Sequence, residues 1–301
     1  MVAVAPSGQG CPIRIADKGL VRVGTKLVRS SRRVGRNRGR CGSGGPCAKV
    51  WIRLVARLMD PAPAAWAPPP LEPGRPPLAV APGLWLFAPN RDTQGGSAWL
   101  LEGYELDLLI DCPALTTANL AFLAERGRRP GDAGAGWIVL TGRDGHGRCR
   151  RLQEHLGWPV VVQEQEAYLL PGVEPLRRFS THLDLGPGLR LVWTPGPSPG
   201  ACVLHVSPVA AAAGDGLFCG RLLVPVAADR LEPLQLRRTF HWGRQLRSLE
   251  RLRSLLPAES PAWIATGAAL GGLRGGRLVP NGAALLAALP LDAGAASPAP
   301  I

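Results

Sequence analysis

Three side chains that could bind a metal or move a proton lie in two short segments of this 301-residue chain. Asp144 and His146 are two residues apart in VLTGRDGHG (139–147), and Cys219 lies in LFCGRLL (217–223). Carboxylate, imidazole and thiolate groups bind zinc or iron, and a bound metal lowers the pKa of its water to about 7, which creates a nucleophile. These residue types suggest metal-dependent hydrolysis, although a pair of ligands rarely holds zinc tightly.

Each of these side chains also has a structural interpretation. His146 begins a predicted helix, where a histidine on the protein surface is favoured over a ligand. Cys219 alternates with Phe218 along a predicted strand, which favours a small core residue over a thiolate. A redox or nucleophilic set of Cys112, Cys149 and Cys219 is a further hypothesis that no local motif supports.

Five segments follow one another in an order that is typical of one protein family. They are LLIDCP (108–113), VLTGRDGHG (139–147), WTPGPSPGACVL (193–204), LFCGRLL (217–223) and IATGAALGG (264–272). In this order they resemble the metallo-β-lactamase fold family, whose glyoxalase-II-like members are di-zinc hydrolases. The resemblance covers roughly residues 84–280 and implies an α/β (α+β) fold, a four-layer αββα sandwich. The composition adds a disordered N-terminal extension to this fold.

The resemblance also implies that most of the metal ligands of the family are missing here. In the first metal-binding loop Thr141 matches the family, but Gly142 and Asp144 stand in the places of the first two histidines. His146 falls in the position of an aspartate, and Gly147 in that of the next histidine.

The later loops depart from the family in the same way. Pro197 replaces the third histidine, Arg221 replaces the aspartate that would bridge two metals, and Ala268 occupies the position of the last histidine. Proline, glycine and alanine offer no side-chain lone pair to a metal, so a change of rotamer does not restore the site.

Arg221 is the substitution with the largest electrostatic consequence. A permanent guanidinium, with a pKa above about 12, would repel two dications. We expect it to neutralise Asp144 and also Asp111, because burying either charge unpaired costs several kcal/mol. The alternative is that Arg221 points to solvent. Asp111 has an alternative of its own, since it could cap the following helix.

The predicted function follows from this degenerate site. We expect a metal-free, non-catalytic protein that binds a small molecule or a protein, with no cofactor. The alternative is an atypical hydrolase of thioester or other ester substrates that uses zinc or iron on Asp144, His146 and Cys219. The predicted binding cleft consists of Asp111, Thr141, Gly142, Asp144, His146, Pro197, Cys219, Arg221 and Ala268.

A second group of candidate binding residues lies just before, and in the first turn of, a predicted amphipathic helix at 244–256. His241 and Trp242 suit either a wall of the cleft or packing at the helix start, and packing is favoured. Four arginines here could attract an anionic partner, although a solvated helix face is the simpler interpretation. They are Arg237, Arg238, Arg244 and Arg247.

The net charge of +13 is concentrated at the N-terminal end, because residues 1–60 hold 13 of the 35 basic residues and only two acidic ones. One hypothesis is an arm at 14–57 that binds nucleic acid by neutralising phosphates. The favoured alternative is that translation begins near Met59, where the composition changes. A transit peptide is a third interpretation.

The remaining composition predicts a cytoplasmic protein with no membrane partner. No apolar run of membrane-spanning length is free of charges or helix breakers. The seven cysteines form no recognisable disulfide framework, which favours reduced thiols.

The elements that must position the site follow from the hydrophobic pattern. Two strands, 85–87 and 97–101, are predicted to form a hairpin, and a buried strand at 107–113 leads into a helix at 114–127. In the helix at 244–256 the apolar stripe comprises Leu246, Leu249, Leu252 and Leu255. Further strands are predicted at 136–140, 159–163, 189–193, 202–206, 216–220 and 261–267, a helix at 146–157 and a short helical piece around 163–170.

The predicted organisation has four parts. A basic extension (1–58) precedes a proline-rich lead-in (59–83), and ordered structure is expected to begin near Leu84. The metallo-β-lactamase-like domain covers 84–282, and a low-complexity tail (283–301) follows.

Overall fold

The computed structural model describes residues 70–126 and 136–291, together with a ribbon in which β1 (Arg22–Val23) pairs antiparallel with β2 (Lys26–Leu27). The chain divides into two compact units, Met1–Pro68 and Pro69–Ile301. Apart from that ribbon, the predicted basic extension and its nucleic-acid arm lie outside the described residues.

Seven strands form the first sheet of the second unit and pair in the order in which they follow one another along the chain. The first to the fourth strand pair antiparallel with their neighbours, and the fourth to the seventh pair in parallel. The strands are β3 (Leu78–Ala81), β4 (Leu84–Asn90), β5 (Gly96–Glu102), β6 (Asp107–Ile110), β7 (Gly136–Val139), β8 (Val160–Gln163) and β9 (Leu176–Phe179).

Six strands form the second sheet in the order β10-β11-β12-β13-β16-β17, and a separate hairpin, β14–β15, follows β13 along the chain. All neighbours are antiparallel except β13 and β16. The strands are β10 (His182–Gly186), β11 (Leu189–Trp193), β12 (Cys202–Val206), β13 (Gly216–Phe218), β14 (Leu223–Ala227), β15 (Arg230–Pro233), β16 (Trp263–Ala265) and β17 (Val279–Pro280).

Within residues 70–126 and 136–291, four α-helices and three short 3-10 helices accompany these strands. The α-helices are α1 (Thr117–Arg126), α2 (Cys149–Leu156), α3 (Trp242–Leu255) and α4 (Gly282–Ala287). The 3-10 helices are Arg143–Gly145, Glu164–Leu169 and Gly271–Leu273. None of the helices in the described part of the chain has the length and apolar character needed to cross a bilayer.

Three apolar clusters define the layers. Trp99 of β5 and Phe218 of β13 meet in the cluster between the two sheets, with ring centroids 6.2 Å apart. Leu123 of α1 packs on the outer face of the first sheet, and Leu249 of α3 packs on the outer face of the second. Each sheet is therefore buried on both faces, and the predicted αββα sandwich is confirmed.

The hairpin of β4 and β5 shows why this sequence forms a sheet with two buried faces. Its strands carry apolar residues on both faces, as buried strands do. Trp99 and Leu101 face the second sheet, whereas Leu100 and Phe87 face the helices. The Trp99 indole Nε1–H donates to the backbone oxygen of Thr266 at 3.0 Å, which joins the two sheets.

Two predicted boundaries differ from the structure, and one residue of the predicted apolar stripe is not buried. Ordered structure begins before Leu84, because β3 lies within the proline-rich segment and pairs with β4. The predicted tail at 283–301 overlaps α4, and Leu286, Leu289 and Leu291 pack in the cluster against the second sheet. Leu255 is 51% exposed although it continues the apolar stripe of α3, because the helix ends there. Residues 292–301 lie outside the described range.

Candidate functional site

Loops that follow β6, β7, β11, β13 and β16 meet around one pocket, which we call the central pocket. Its volume is about 20 Å³, enough for a single water-sized occupant. Seven of the nine residues predicted for the cleft line it, whereas His146 and Ala268 do not. The seven are Asp111, Thr141, Gly142, Asp144, Pro197, Cys219 and Arg221.

Asp111 is buried at the end of β6 and binds the loop that follows β7. Its Oδ1 accepts from the backbone N–H of Thr141 at 2.8 Å, and its Oδ2 accepts from the Thr141 hydroxyl at 2.6 Å. Burial raises the pKa of Asp111 to about 6, and the hydrogen bonds from Thr141 together with the charges of His146 and Arg221 only partly offset it. Asp111 does not cap the next helix; Thr116 does so by accepting from Asn119 N–H at 3.2 Å.

Two glycines allow this close packing. A Cβ on Gly145 would lie 2.0 Å from Asp111 Oδ1, and a Cβ on Gly220, whose φ is +51°, would lie 2.5 Å from Thr141 Oγ1. Both positions therefore require glycine if the Asp111–Thr141 pair is to keep its geometry.

The Arg221 side chain turns into the central pocket and is only 15% exposed. Its Nη2 donates to the backbone oxygens of Thr93 at 2.8 Å and Gln94 at 2.9 Å, and its Nε lies 3.6 Å from Asp144 Oδ2. The predicted ion pair with Asp144 is present, and the solvent-facing alternative is wrong. Burial lowers the pKa of Arg221, but an arginine remains a cation inside a protein.

Asp144 is held by a second arginine as well. Arg238 donates to Asp144 Oδ2 from Nε at 3.2 Å and from Nη2 at 3.0 Å. Arg143 in turn donates from Nη2 to the backbone oxygen of Arg238 at 2.7 Å. Arg238 therefore shares Asp144 with Arg221, a contact that the basic pattern before α3 did not reveal.

His146 is buried, so its interpretation as a surface histidine is wrong. Its Nε2 lies 3.5 Å from Oε2 of Glu166, a buried residue that no sequence motif had indicated. Glu166 Oε1 accepts from the backbone N–H of Gly200 at 3.0 Å. Burial alone would raise the pKa of Glu166, but His146, Ser198 and Gly200 together lower it below its usual value. His146 thus faces the 3-10 helix Glu164–Leu169 and does not line the pocket.

The three cysteines of the hypothetical redox set, Cys112, Cys149 and Cys219, are buried core residues, as predicted for Cys219. Burial raises the pKa of the Cys219 thiol to about 12, so it is not a thiolate at neutral pH. The pKa of Cys112 is also raised, first by its hydrogen bond with Cys149 and then by burial. Cys112 and Cys149 pack between the first sheet and its helices, so the three cysteines do not form one set.

The remaining predicted positions are occupied by backbone and small side chains. A Cβ on Gly142 would lie 3.1 Å from Ser198 Oγ, so a larger residue there would have to move that hydroxyl by a few tenths of an ångström. The Pro197 oxygen accepts from Phe240 N–H at 3.2 Å, and Ala268 N–H donates to Thr266 Oγ1 at 3.0 Å. None of the three supplies a ligand atom from its side chain, and only Gly142 and Pro197 line the pocket.

The start of α3 agrees with the packing interpretation. His241 is the N-cap, and its Nδ1 accepts from the backbone N–H of Arg244 at 3.2 Å. His241 and Trp242 therefore serve the helix start and do not line the central pocket.

The donor groups do not fit the two metals of the resembled family. Within 70–126 and 136–291 no three His, Cys, Asp or Glu side chains converge as metal ligands do. Asp111 is engaged by Thr141, Asp144 by two guanidinium groups, and His146 faces Glu166. A metal would have to displace these partners and approach a fixed positive charge.

Three buried hydroxyl groups line the same pocket without a hydrogen-bond partner among the residues described. We call them the unpaired hydroxyls: Ser97, Thr194 and Ser198. Sequence reasoning missed all three, because serine and threonine carry no signal of burial.

No protein-family model matches the chain, and no curated protein matches it. Similar solved structures include a metallo-β-lactamase superfamily protein from Sulfolobus tokodaii, with 17% identity, coverage of 70% of this chain and 84% of that chain, and a TM-score of 0.42. A B3 metallo-β-lactamase with an active-site glutamic acid has 20% identity, coverage of 72% and 88%, and a TM-score of 0.48. A quorum-quenching N-acyl homoserine lactone hydrolase has 16% identity, coverage of 59% and 88%, and a TM-score of 0.40. The likeness to metallo-β-lactamase superfamily structures is one of fold, and no activity follows from it.

Proposed function

We propose that this chain is a pseudoenzyme of the metallo-β-lactamase fold, a metal-free protein that binds a small molecule without transforming it. The observation that carries the proposal is the position of Arg221 in the central pocket. Its guanidinium is fixed by two backbone oxygens and by Asp144, so it supplies the positive charge that metals supply elsewhere. A fixed cation at that point opposes the binding of two further dications.

The size of the central pocket supports binding elsewhere on the surface. A volume of about 20 Å³ has no room for an organic substrate, whereas ligand pockets usually measure about 300–1,000 Å³. A groove of about 520 Å³ lies beside the end of α3, and we call it the outer groove. Its lining includes Leu189, Val192 and Leu255, with Arg251 among its charged residues. The groove therefore suits a small amphipathic molecule with an acidic group.

The first test is the metal content of the purified protein, before and after loading with zinc or iron and desalting. We expect less than about a tenth of an equivalent under both conditions. One or two tightly held equivalents would overturn the proposal and favour the alternative, a hydrolase that uses Asp144, His146 and Cys219. Hydrolysis of a thioester substrate by the wild type, and its loss in His146→Ala, would also overturn the proposal and favour the hydrolase.

The second test addresses the outer groove with 8-anilinonaphthalene-1-sulfonate, an aromatic anion whose fluorescence rises in apolar sites. We expect Leu255→Ser to weaken its binding about tenfold, which is about 1.4 kcal/mol. Leu78→Ser is the matched control, because Leu78 is similarly exposed but lies on β3 of the other sheet. Equal affinities in wild type and Leu255→Ser would place the ligand elsewhere, and a protein partner would become the better hypothesis.

A further inference from the structure

The unpaired hydroxyls call for an occupant of the central pocket. A buried polar group without a partner costs about 1–3 kcal/mol, and native structures leave few of them. Thr194 is 1% exposed, and Ser97 and Ser198 are each 3% exposed, so bulk solvent does not reach them. A species small enough to fit about 20 Å³ would satisfy several of these hydroxyls at once.

The sign of the neighbouring charges decides between possible occupants. Arg221 and Arg143 line the pocket together with Asp144 and Asp111. Asp144 is more than neutralised, since the guanidinium groups of Arg221 and Arg238 both contact it. Both oxygens of Asp111 are directed to Thr141. Asp111 also carries a negative charge above about pH 6. The three guanidinium groups of Arg143, Arg221 and Arg238 therefore face two carboxylates, which leaves one positive charge to be balanced at the pocket.

Hydroxyl groups can adapt to this charge because their hydrogens rotate. Next to a cation, serine and threonine hydroxyls can all donate to one central acceptor. Ser198 also lies near the Glu166 carboxylate and helps to lower its pKa, so Ser97 and Thr194 are the freer donors. A cation in the same place would meet the guanidinium at short range.

We propose that the central pocket holds one halide-sized anion, bound by the hydroxyls of Ser97 and Thr194 beside the guanidinium of Arg221. The inference rests on the proposed function, because an anion takes this position only if the metals are absent. Where the resembled family places cations between carboxylates, this chain has a cation of its own and therefore binds the opposite charge.

Chloride is the probe for the solution experiment. The full-length protein is dialysed into sodium gluconate, and chloride replaces gluconate from about 1 mM to about 300 mM at constant ionic strength. We expect the Tm to rise by about 3 °C or more, because a ligand that binds only the folded state stabilises it. An equal Tm in chloride and gluconate would overturn the proposal.

Two variants test the named contacts. Thr194→Val keeps the shape of the side chain and removes the hydroxyl, and Arg221→Met removes the charge; both are expected to lose the chloride response. Thr181→Val and Arg230→Met are the matched controls, since both residues are exposed and neither lines the central pocket. If Arg221→Met does not fold, the test rests on Thr194→Val. A Thr194→Val variant whose Tm rises with chloride as much as that of the wild type refutes the proposed site.

Crystals grown or soaked in bromide locate the anion directly. An anomalous peak within hydrogen-bond distance of Thr194 Oγ1 is expected, whereas an ordered water at that point would overturn the proposal. The metal analysis separates the two proposals. If the protein is metal-free but shows no chloride response, the anion site is rejected and the pseudoenzyme proposal stands. If the protein holds metal, both proposals are rejected.

Discussion

Replacing Asp111 with asparagine is expected to remove a pH-dependent loss of stability from this protein. Asp111 is fully buried, and its pKa is about 6 in the folded chain against an ordinary value of 3.8. Asparagine resembles the protonated acid in shape and also tolerates the positive φ of 59° at this position. Its side-chain oxygen can still accept from Thr141 N–H, and the Thr141 hydroxyl can turn to accept from the new amide.

The sign of the effect follows from proton binding. Between pH 3.8 and about 6 the unfolded chain ionises at Asp111 before the folded chain does, so the folded state binds more protons. The free energy of unfolding therefore falls as the pH rises through this window, and above pH 6 the loss reaches its limit of about 3 kcal/mol. The Asp111→Asn variant lacks this loss. Its stability relative to wild type should increase by about 2 kcal/mol from about pH 4.5 to about pH 7.5.

Urea unfolding followed by tryptophan fluorescence at four pH values measures this difference, and the contributions of unchanged groups cancel between the two proteins. Asp184→Asn is the control. Asp184 is exposed and its pKa is lowered, first by the hydrogen bond from Arg190, so its substitution should give a small change of opposite sign. A stability difference between Asp111→Asn and wild type that stays constant with pH would refute the reasoning.

Three further predictions concern packing and buried polar contacts. Thr141→Val should lower the free energy of unfolding at pH 7 by about 1.5–3 kcal/mol, because the ionised Asp111 carboxylate loses the 2.6 Å hydrogen bond from the Thr141 hydroxyl. A loss below about 0.5 kcal/mol in chemical unfolding would argue against that contact. Leu249→Ala should lower the free energy of unfolding by about 2–5 kcal/mol, since Leu249 is 1% exposed, whereas Leu255→Ala should lower it by well under 1 kcal/mol. Equal losses of Tm in the two variants would contradict the observation that the buried stripe of α3 ends before Leu255. Glu166→Gln should destabilise the protein at pH 7, and the deficit should shrink as the pH falls through the lowered pKa of Glu166; a deficit that grows on acidification would show the opposite shift.

Much of the fold could be predicted because its signals are local. Apolar runs that end in proline or glycine marked β6 and β7, and the spacing of Leu246, Leu249 and Leu252 marked α3 as a helix packed on a sheet. The short strands were missed for the same reason. β3 has two exposed residues followed by two half-buried ones, so it lacks the alternation of a half-buried strand, and its strand character comes from pairing with β4.

The candidate site was predictable in its residue types but not in its contacts. The sequence identified the substitutions at Gly142, Pro197 and Arg221, and it predicted that Arg221 would seek a carboxylate. It did not identify Arg238 as a second partner of Asp144, because the two residues are distant in the chain and many arginines surround Arg238.

The sequence alone determines which of these positions lack a ligand, since the side chains of glycine, proline and arginine offer no ligand atom to a metal in any conformation. The tertiary structure decided which polar groups are buried. It turned His146 towards Glu166, enclosed the hydroxyls of Ser97 and Thr194, and raised the pKa of Asp111. Burial depends on the closure of loops from five strands around one point. The desolvation that shifts a pKa or leaves a hydroxyl unpaired therefore cannot be predicted from the residues one by one.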